Sequence, residues 1–403
     1  MSVFARILAK AVLYTAGGIT LAVLLGVTVL LIATGVEHSM PLEFPRPTGA
    51  SAVGRTAFYW TDPGAPSSDK RELVAWIWYP ARACEGKRAE YLPSAWREAL
   101  ARSGGVLMTD FLTRDLAQVR VHSCENADLA PGPGRFPVVI LRSGGGAPVV
   151  DYTALAEDLA SHGYVVVGAD APRLTTAVVL PDGRVVTRLP QYDLDALPEA
   201  QRVQLATELV GMWSANIDFV LYELMSLDTA DPYRRFTGRL DLDHVGIVGH
   251  SLGGATAAAF CYADPRCKAG IDLDGRLFGP VIEEGLRQPF MFILEDHRRV
   301  SPMIASDILA PIQSMYARLP LETRLKISIT GANHFSFSDQ MLLKSQLLLG
   351  LMRAMGVIGS LPGPRGLAIT NDYVSTFFGV YLKGQPRGTL DSLARKYPEV
   401  VLE

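Results

Sequence analysis

The sequence predicts an α/β fold, a mostly parallel sheet with helices on both faces, preceded by one N-terminal helix that crosses a membrane. Three observations predict it. Short runs rich in Val, Ile and Leu alternate with longer helical patterns, the order that builds parallel sheets covered on both sides. One run passes through Gly249, His250, Ser251, Leu252 and Gly253 into a small-residue helix, a strand-turn-helix junction with a serine at its apex. Near the N-terminus, residues 11–36 form a stretch of 26 residues without a charge.

As a helix that stretch would extend about 39 Å at 1.5 Å per residue, enough to cross a hydrocarbon layer of roughly 30 Å. Arg6 and Lys10 precede it, and no Lys or Arg follows until Arg46. The positive-inside rule then keeps the N-terminus cytoplasmic and places the rest outside. The rival reading is a signal peptide, cleaved to release a secreted protein. Its apolar core usually spans only about 7 to 15 residues and ends at a small-residue site; this run is longer and no clean site follows it. Residues 1–36 are therefore read as a single-pass signal-anchor. Pro41, Pro45 and Pro47 make 37–52 a semi-rigid linker. The main domain is expected at 53–355, with 356–403 an extension packed on it.

Within that domain, strands are expected at 73–79, 137–142, 164–169, 245–248, 269–273, 289–294 and 325–330. Helices are expected at 152–162, 205–225, 252–263, 302–318 and 340–355, with Ser301 before Pro302 as a start signal. Pro181, Asp182 and Gly183 between two Val-rich pieces predict a hairpin. The four cysteines would face an oxidising compartment and allow three pairings. Cys84 with Cys124 and Cys261 with Cys267 is the expected set, and free buried thiols are the alternative. With 403 residues, 49% of them hydrophobic, the chain buries a large core; a net charge of -3 without a basic patch excludes nucleic acid as a partner.

The junction at Ser251 carries the chemistry. Small residues two before and two after the serine permit a strained turn that lifts its hydroxyl clear of the sheet, while the new helix aims its first amides at the same spot. A glycine-rich turn without chemistry is the plain alternative. A serine hydroxyl is a weak nucleophile, so a histidine must take its proton and a carboxylate must orient that histidine. Of seven histidines, His38 lies in the linker, and His122, His162 and His244 precede the junction. The turn should point His250 away from the hydroxyl. In folds of this design the order is serine, acid, histidine, which puts the base at His334, after the last expected strand; His297 is the remaining contender. Asp274 follows the strand 269–273 and Asp296 follows the next one, and order alone leaves them even. Asp272 would face the other side of its strand. The glycine run at 144–146 follows the strand 137–142, where a backbone amide is needed to hold an oxyanion, so the amides of Gly145 and Leu252 are the expected donors. A flexible turn is the alternative. Trp213, Phe278 and Phe335 either line the pocket or pack in the core, and the core is the expected place for each.

With these residues in place, the segment 71–355 resembles the type II platelet-activating factor acetylhydrolase family and its bacterial dienelactone-hydrolase-like relatives. The motifs IWYPA at 77–81, FPVVILRSGGG at 136–146, DLASHGYVVVGAD at 158–170, GHSLGGAT at 249–256, GIDLDG at 270–275 and GANHFSFSD at 331–339 occur in the family's order. The resemblance implies an α/β-hydrolase fold and a Ser-His-Asp triad. The family's acid sits in an LD pair that maps to Leu273 and Asp274, which favours Asp274 and leaves Asp296 as the alternative acid. Its second oxyanion amide maps to Gly145. Relatives often open the glycine loop with histidine and glycine, whereas Ser143 and Gly144 stand here, so what supports the loop is open. The implied function is a serine carboxylic-ester hydrolase acting on short-chain acyl esters, including short-acyl or oxidised phospholipids. A polyester hydrolase and an acyltransferase with the same triad are alternatives, and a catalytically silent binding protein is the reading from another class. No metal or organic cofactor is required; the expected partners are an ester substrate, small-molecule or lipid, and the membrane.

Overall fold

The strands of a computed structural model, which describes residues 3–62, 70–132, 134–194 and 197–403, build one large mixed sheet and one small hairpin. In chain order they are β1 (Leu42–Glu43), β2 (Ala52–Thr61), β3 (Glu72–Ala81), β4 (Arg88–Glu90), β5 (Val119–Glu125), β6 (Phe136–Arg142), β7 (Val165–Asp170), β8 (Ala177–Val179), β9 (Val185–Thr187), β10 (Leu240–His250), β11 (Cys267–Leu273), β12 (Phe290–Leu294), β13 (Arg324–Ile329) and β14 (Val400–Leu402). The large sheet runs β1-β5-β2-β3-β7-β6-β10-β11-β12-β13-β14, with β4 beside β5. From β7 to β13 every neighbour is parallel, while β3 joins β2 and β7 antiparallel and β14 closes the far edge antiparallel to β13. This mostly parallel sheet with helices is consistent with an α/β-hydrolase fold. The pair β8-β9 is the hairpin expected around Asp182.

The helices are α1 (Val3–Ser39), α2 (Ser94–Ser103), α3 (Thr153–Ser161), α4 (Glu199–Ala230), α5 (Leu252–Ala263), α6 (Val281–Glu284), α7 (Pro302–Arg318), α8 (Gln340–Leu343), α9 (Gln346–Ala354), α10 (Gly363–Lys383) and α11 (Gly388–Lys396). One apolar core packs α3 and α10 on one face of the sheet, and a second packs α4, α5 and α7 on the other. Burial on both faces explains strands such as β12, Phe-Met-Phe-Ile-Leu, in which every residue is buried. The helix expected at 340–355 is divided: Lys344 is extended, and Ser345 donates its amide to the Leu112 carbonyl and caps α9 with its hydroxyl. Folded structure begins before residue 53, since β1 already pairs with β5. The cysteines pair as 84 with 124 and 261 with 267.

Within α1, the segment Val12–Ser39 is long and apolar enough to cross a membrane, and large apolar side chains such as Leu13, Ile19, Leu24 and Leu31 are exposed. Lys10 before it is described, while the Arg6 side chain lies outside the described residues. The end of the helix is docked. Glu37 accepts the Gln346 amide at 2.7 Å and the Ser345 hydroxyl, placing a carboxylate at the N-terminus of α9, where the helix dipole favours it. Arg114 lies 3.6 Å from Glu37, and the His38 ring bonds the Thr113 carbonyl at 2.8 Å.

Candidate active site

The carboxyl ends of β6, β10 and β12 converge on one cavity of about 980 Å³, the place where parallel sheets bind ligands. Ser251 sits between β10 and α5 with φ 56° and ψ -124°, a conformation that an L-residue holds only under constraint. The constraint is close packing: a Cβ on Gly249 would overlap the Gly253 carbonyl, and one on Gly253 would overlap the carbonyls of Arg142 and Ser143. The Ser251 amide donates to the Leu273 carbonyl at 2.9 Å, which ties the turn to β11.

Asp274 follows β11 with φ 57°, a left-handed conformation that aspartate tolerates better than most residues. Its buried carboxylate meets the His334 Nδ1 at 2.7 Å through Oδ2 and accepts the Glu295 amide at 2.9 Å through Oδ1. Burial opposes its charge, but the hydrogen bond and charge of His334 outweigh that and hold its pKa below the usual range. For His334, burial pulls the pKa down and Asp274 pulls it up more strongly, so it stands above the ordinary imidazole value. Asp296 is turned elsewhere: Arg298 binds it through two nitrogens at 2.7 and 3.0 Å, and the Gly331 amide donates to it at 3.0 Å. His297 lies 3.7 Å from Asp274 Oδ1, too far for a hydrogen bond. Asp272 accepts the Gly275 amide, and burial raises its pKa well above the usual range.

Ser251, Leu252, Gly145 and His334 all line the cavity. Leu252 is the first residue of α5, so its amide has no acceptor within the helix, and Gly145 stands exposed at the cavity wall. The loop carrying Gly145 is held by a chain of hydrogen bonds. The Gly144 amide donates to the Tyr152 hydroxyl at 3.1 Å, that hydroxyl meets His250 Nδ1 at 2.8 Å, and His250 Nε2 meets the His334 carbonyl at 2.8 Å. Burial, then the neighbouring His334 charge, depresses the His250 pKa to about 3. A neutral ring facing a carbonyl through Nε2 must carry its proton there, so Nδ1 accepts from Tyr152. His250 also packs its ring 4.5 Å from that of His334. Both of its ring nitrogens are thus engaged, one by Tyr152 and one by the His334 carbonyl, so it supports the Gly145 loop and His334. Sequence reasoning missed Tyr152 in this role, because 98 residues separate it from His250.

The rest of the cavity is largely apolar, with Leu92, Leu100, Met108, Leu116 and Leu343 in its wall. Phe335, expected in the core, is 55% exposed and lines the cavity, because the short turn after Asn333 carries it outward beside His334. Trp213 is buried beneath Arg142, and Phe278 is half-buried against the core. Glu295 also reaches the cavity, with its pKa raised to about 7 by burial and then by the Asp274 charge.

The solved structure of a ferulic acid esterase from Streptomyces cinnamoneus matches with a TM-score of 0.71 and 27% identity, over 90% of this chain and 99% of its own. A probable 1-alkyl-2-acetylglycerophosphocholine esterase of Arthroderma benhamiae is 24% identical over 92% of this chain and 97% of its own. The platelet-activating factor acetylhydrolase of Bos taurus is 24% identical over 82% of this chain and 75% of its own. With this fold and these relatives, the chain is a carboxylic ester hydrolase. The family described as "Platelet-activating factor acetylhydrolase, isoform II" matches residues 42–175 and 213–378. The chain belongs to that family.

Proposed function

We propose that the protein hydrolyses short-acyl esters, short-acyl phospholipids among them, through an acyl-enzyme formed on Ser251. The observation that carries this is the 2.7 Å hydrogen bond between His334 and Asp274 at the cavity that Ser251 also lines. His334 takes the serine proton as the hydroxyl attacks the ester carbonyl, and Asp274 stabilises the imidazolium that results. The amides of Gly145 and Leu252 hold the oxyanion of the tetrahedral intermediate. His334 then gives its proton to the leaving alcohol, and a water deprotonated by His334 releases the acid. The apolar wall suits an alkyl or acyl chain, and burial of that chain supplies binding energy of about 0.8 kcal/mol per methylene.

The N-terminal helix acts as a retained anchor in this reading, with the N-terminus cytoplasmic and the catalytic domain outside. Its support is the docking of Glu37 and His38 onto the folded domain, which makes the end of α1 part of the packed structure. Carbonate-washed membranes should retain the full-length chain; its release as a shortened soluble form would overturn the anchor.

The detergent-solubilised full chain should cleave p-nitrophenyl acetate, and Ser251→Ala should abolish cleavage; undiminished turnover by Ser251→Ala would sink the mechanism. Comparing acetyl, butyryl, palmitoyl and feruloyl esters tests the substrate class. A preference for long acyl chains or for feruloyl esters would overturn the short-acyl assignment.

A further inference from the structure

Beside the Asp274–His334 pair stand two groups that the proposed mechanism does not use. His297 lies in the turn after β12 with its side chain 8% exposed, and its Nε2 has no hydrogen-bond partner among the described residues. That nitrogen is aimed at carboxylates, 3.7 Å from Asp274 Oδ1 and 4.0 Å from Glu295 Oε1, both beyond hydrogen-bond reach. One ligand atom from each of Asp274, Glu295 and His297 lies within 4.8 Å of the others. A buried nitrogen without a hydrogen bond is costly to keep.

We infer that Asp274, Glu295 and His297 form a binding site for a small divalent cation of the zinc type, and that its occupancy slows turnover. One nitrogen and two oxygens suit a borderline ion such as Zn²⁺. Bond lengths of about 2.0–2.2 Å put the donors of a tetrahedral zinc ion roughly 3.4 Å apart. The two nitrogen-to-oxygen separations of 3.7 and 4.0 Å close to that value with side-chain shifts of a few tenths of an ångström, while the two carboxylate oxygens, which lie within 4.8 Å of each other, come together by up to about 1.4 Å. Glu295 lines the cavity, so the ion has an entry path and a fourth position for water or substrate.

The two oxygens of Asp274 separate the tasks. Oδ2 keeps the His334 proton while Oδ1, which already accepts the Glu295 amide at 2.9 Å, takes the cation on its second lone pair, so the carboxylate bridges imidazole and metal. Its charge is then partly neutralised, and the cation sits beside the place where the His334 imidazolium must form. Both effects raise the barrier without blocking the cavity, so kcat falls and KM changes little. The inhibition rests on the reading of Asp274 as the acid; the binding does not.

The test uses the EDTA-treated full chain in detergent, titrated with zinc chloride by calorimetry and, in parallel, by p-nitrophenyl acetate turnover. Wild type should bind zinc saturably and lose about tenfold or more in kcat with KM held within about twofold, reversibly with EDTA, a smaller loss than deletion of a triad acid. His297→Gln should retain the basal rate and lose at least about tenfold in zinc affinity, as removal of a ligand demands. Glu295→Gln should also weaken binding. Absence of saturable zinc binding, or wild-type zinc affinity in His297→Gln, overturns the site. Binding that His297→Gln abolishes but that leaves wild-type kcat unchanged overturns the inhibition and counts against Asp274 as the acid.

Discussion

Replacing Tyr152 by Phe removes one oxygen that is 98 residues from the serine's neighbour in sequence but joins the Gly145 loop, through His250, to His334, the proposed oxyanion loop and base. The ring is 2% exposed, so its packing survives the change. What is lost is the acceptor for the Gly144 amide at 3.1 Å and the donor to His250 Nδ1 at 2.8 Å. Each of those groups is buried, and each left unpaired costs about 1–3 kcal/mol. Desolvation of the lost hydroxyl itself returns part of this, so the expected loss of stability is about 2–4 kcal/mol. The effect on rate follows from the next residue. Gly145 keeps its amide but loses the neighbour that fixes its direction, and losing an oxyanion donor outright costs about 10²–10³ in kcat. A displaced donor should cost less, roughly tenfold to a hundredfold. Turnover of p-nitrophenyl acetate, measured well below the variant's melting temperature, separates the two effects. A kcat within about threefold of wild type would refute the reasoning, whatever the melting temperature, because the hydroxyl would then hold the core and not the oxyanion loop.

Asp274→Asn should lower kcat by about 10⁴, as loss of a triad acid does, while Asp296→Asn should cost less than about tenfold because Asp296 is spent on Arg298 and Gly331; equal losses would return the choice of acid to an even one. Since His334 must be neutral to accept a proton and Asp274 raises its pKa, kcat/KM should fall as pH falls through a midpoint above the ordinary imidazole value. Asp274→Asn should move that limb to lower pH, and an unmoved limb would mean another group titrates there. Nitrogen NMR should show His250 neutral, with its proton on Nε2, from about pH 5 to about pH 9; a protonation step in that window would break the hydrogen-bond chain. In urea unfolding, removing the Cys84–Cys124 bond, whose partners are 40 residues apart, should cost about 4 kcal/mol against about 2 for Cys261–Cys267 at a separation of 6. A reversed order would count against loop closure as the source of the stabilisation.

The fold was most legible where burial is simplest. The strands β6, β7 and β12 are nearly unbroken apolar runs, because neighbours cover both faces and no polar alternation is needed. The other end of the sheet escaped notice for the opposite reason. In β5, Val-Arg-Val-His-Ser-Cys-Glu, exposed and buried residues mix, and β2 carries Gly, Arg and Thr among its aromatics. The helix α10 has glycines and β-branched residues that argue against a helix on propensity alone, yet Phe377, Phe378 and Val374 are fully buried, so packing decides. Tertiary contacts also divide α8 from α9, where Leu112 and Glu37 bind groups around Ser345 that a continuous helix would have used.

The candidate site divides along the same line. Ser251 could be read from local backbone demands, since two glycines and a small-residue helix are what a strained turn requires, and His334 followed from chain order. Order could not choose the acid, because Asp274 and Asp296 each follow a strand. The distinction lies in what each carboxylate meets: Arg298, two residues on, captures Asp296, whereas Asp274 in its left-handed turn is delivered to His334. The arginine was a visible clue, for a carboxylate with a cation two residues away already has a partner. His250 shows what order cannot supply. Its position next to the serine discounts it as the base, and both of its ring nitrogens are engaged by Tyr152 and the His334 carbonyl. Yet the same turn that points it away from the hydroxyl sends its ring beneath His334 and toward Tyr152, so one backbone constraint orients the serine and aligns the support for both of its expected partners. A residue placed beside the serine is thereby fitted to hold the groups proposed to transfer its proton.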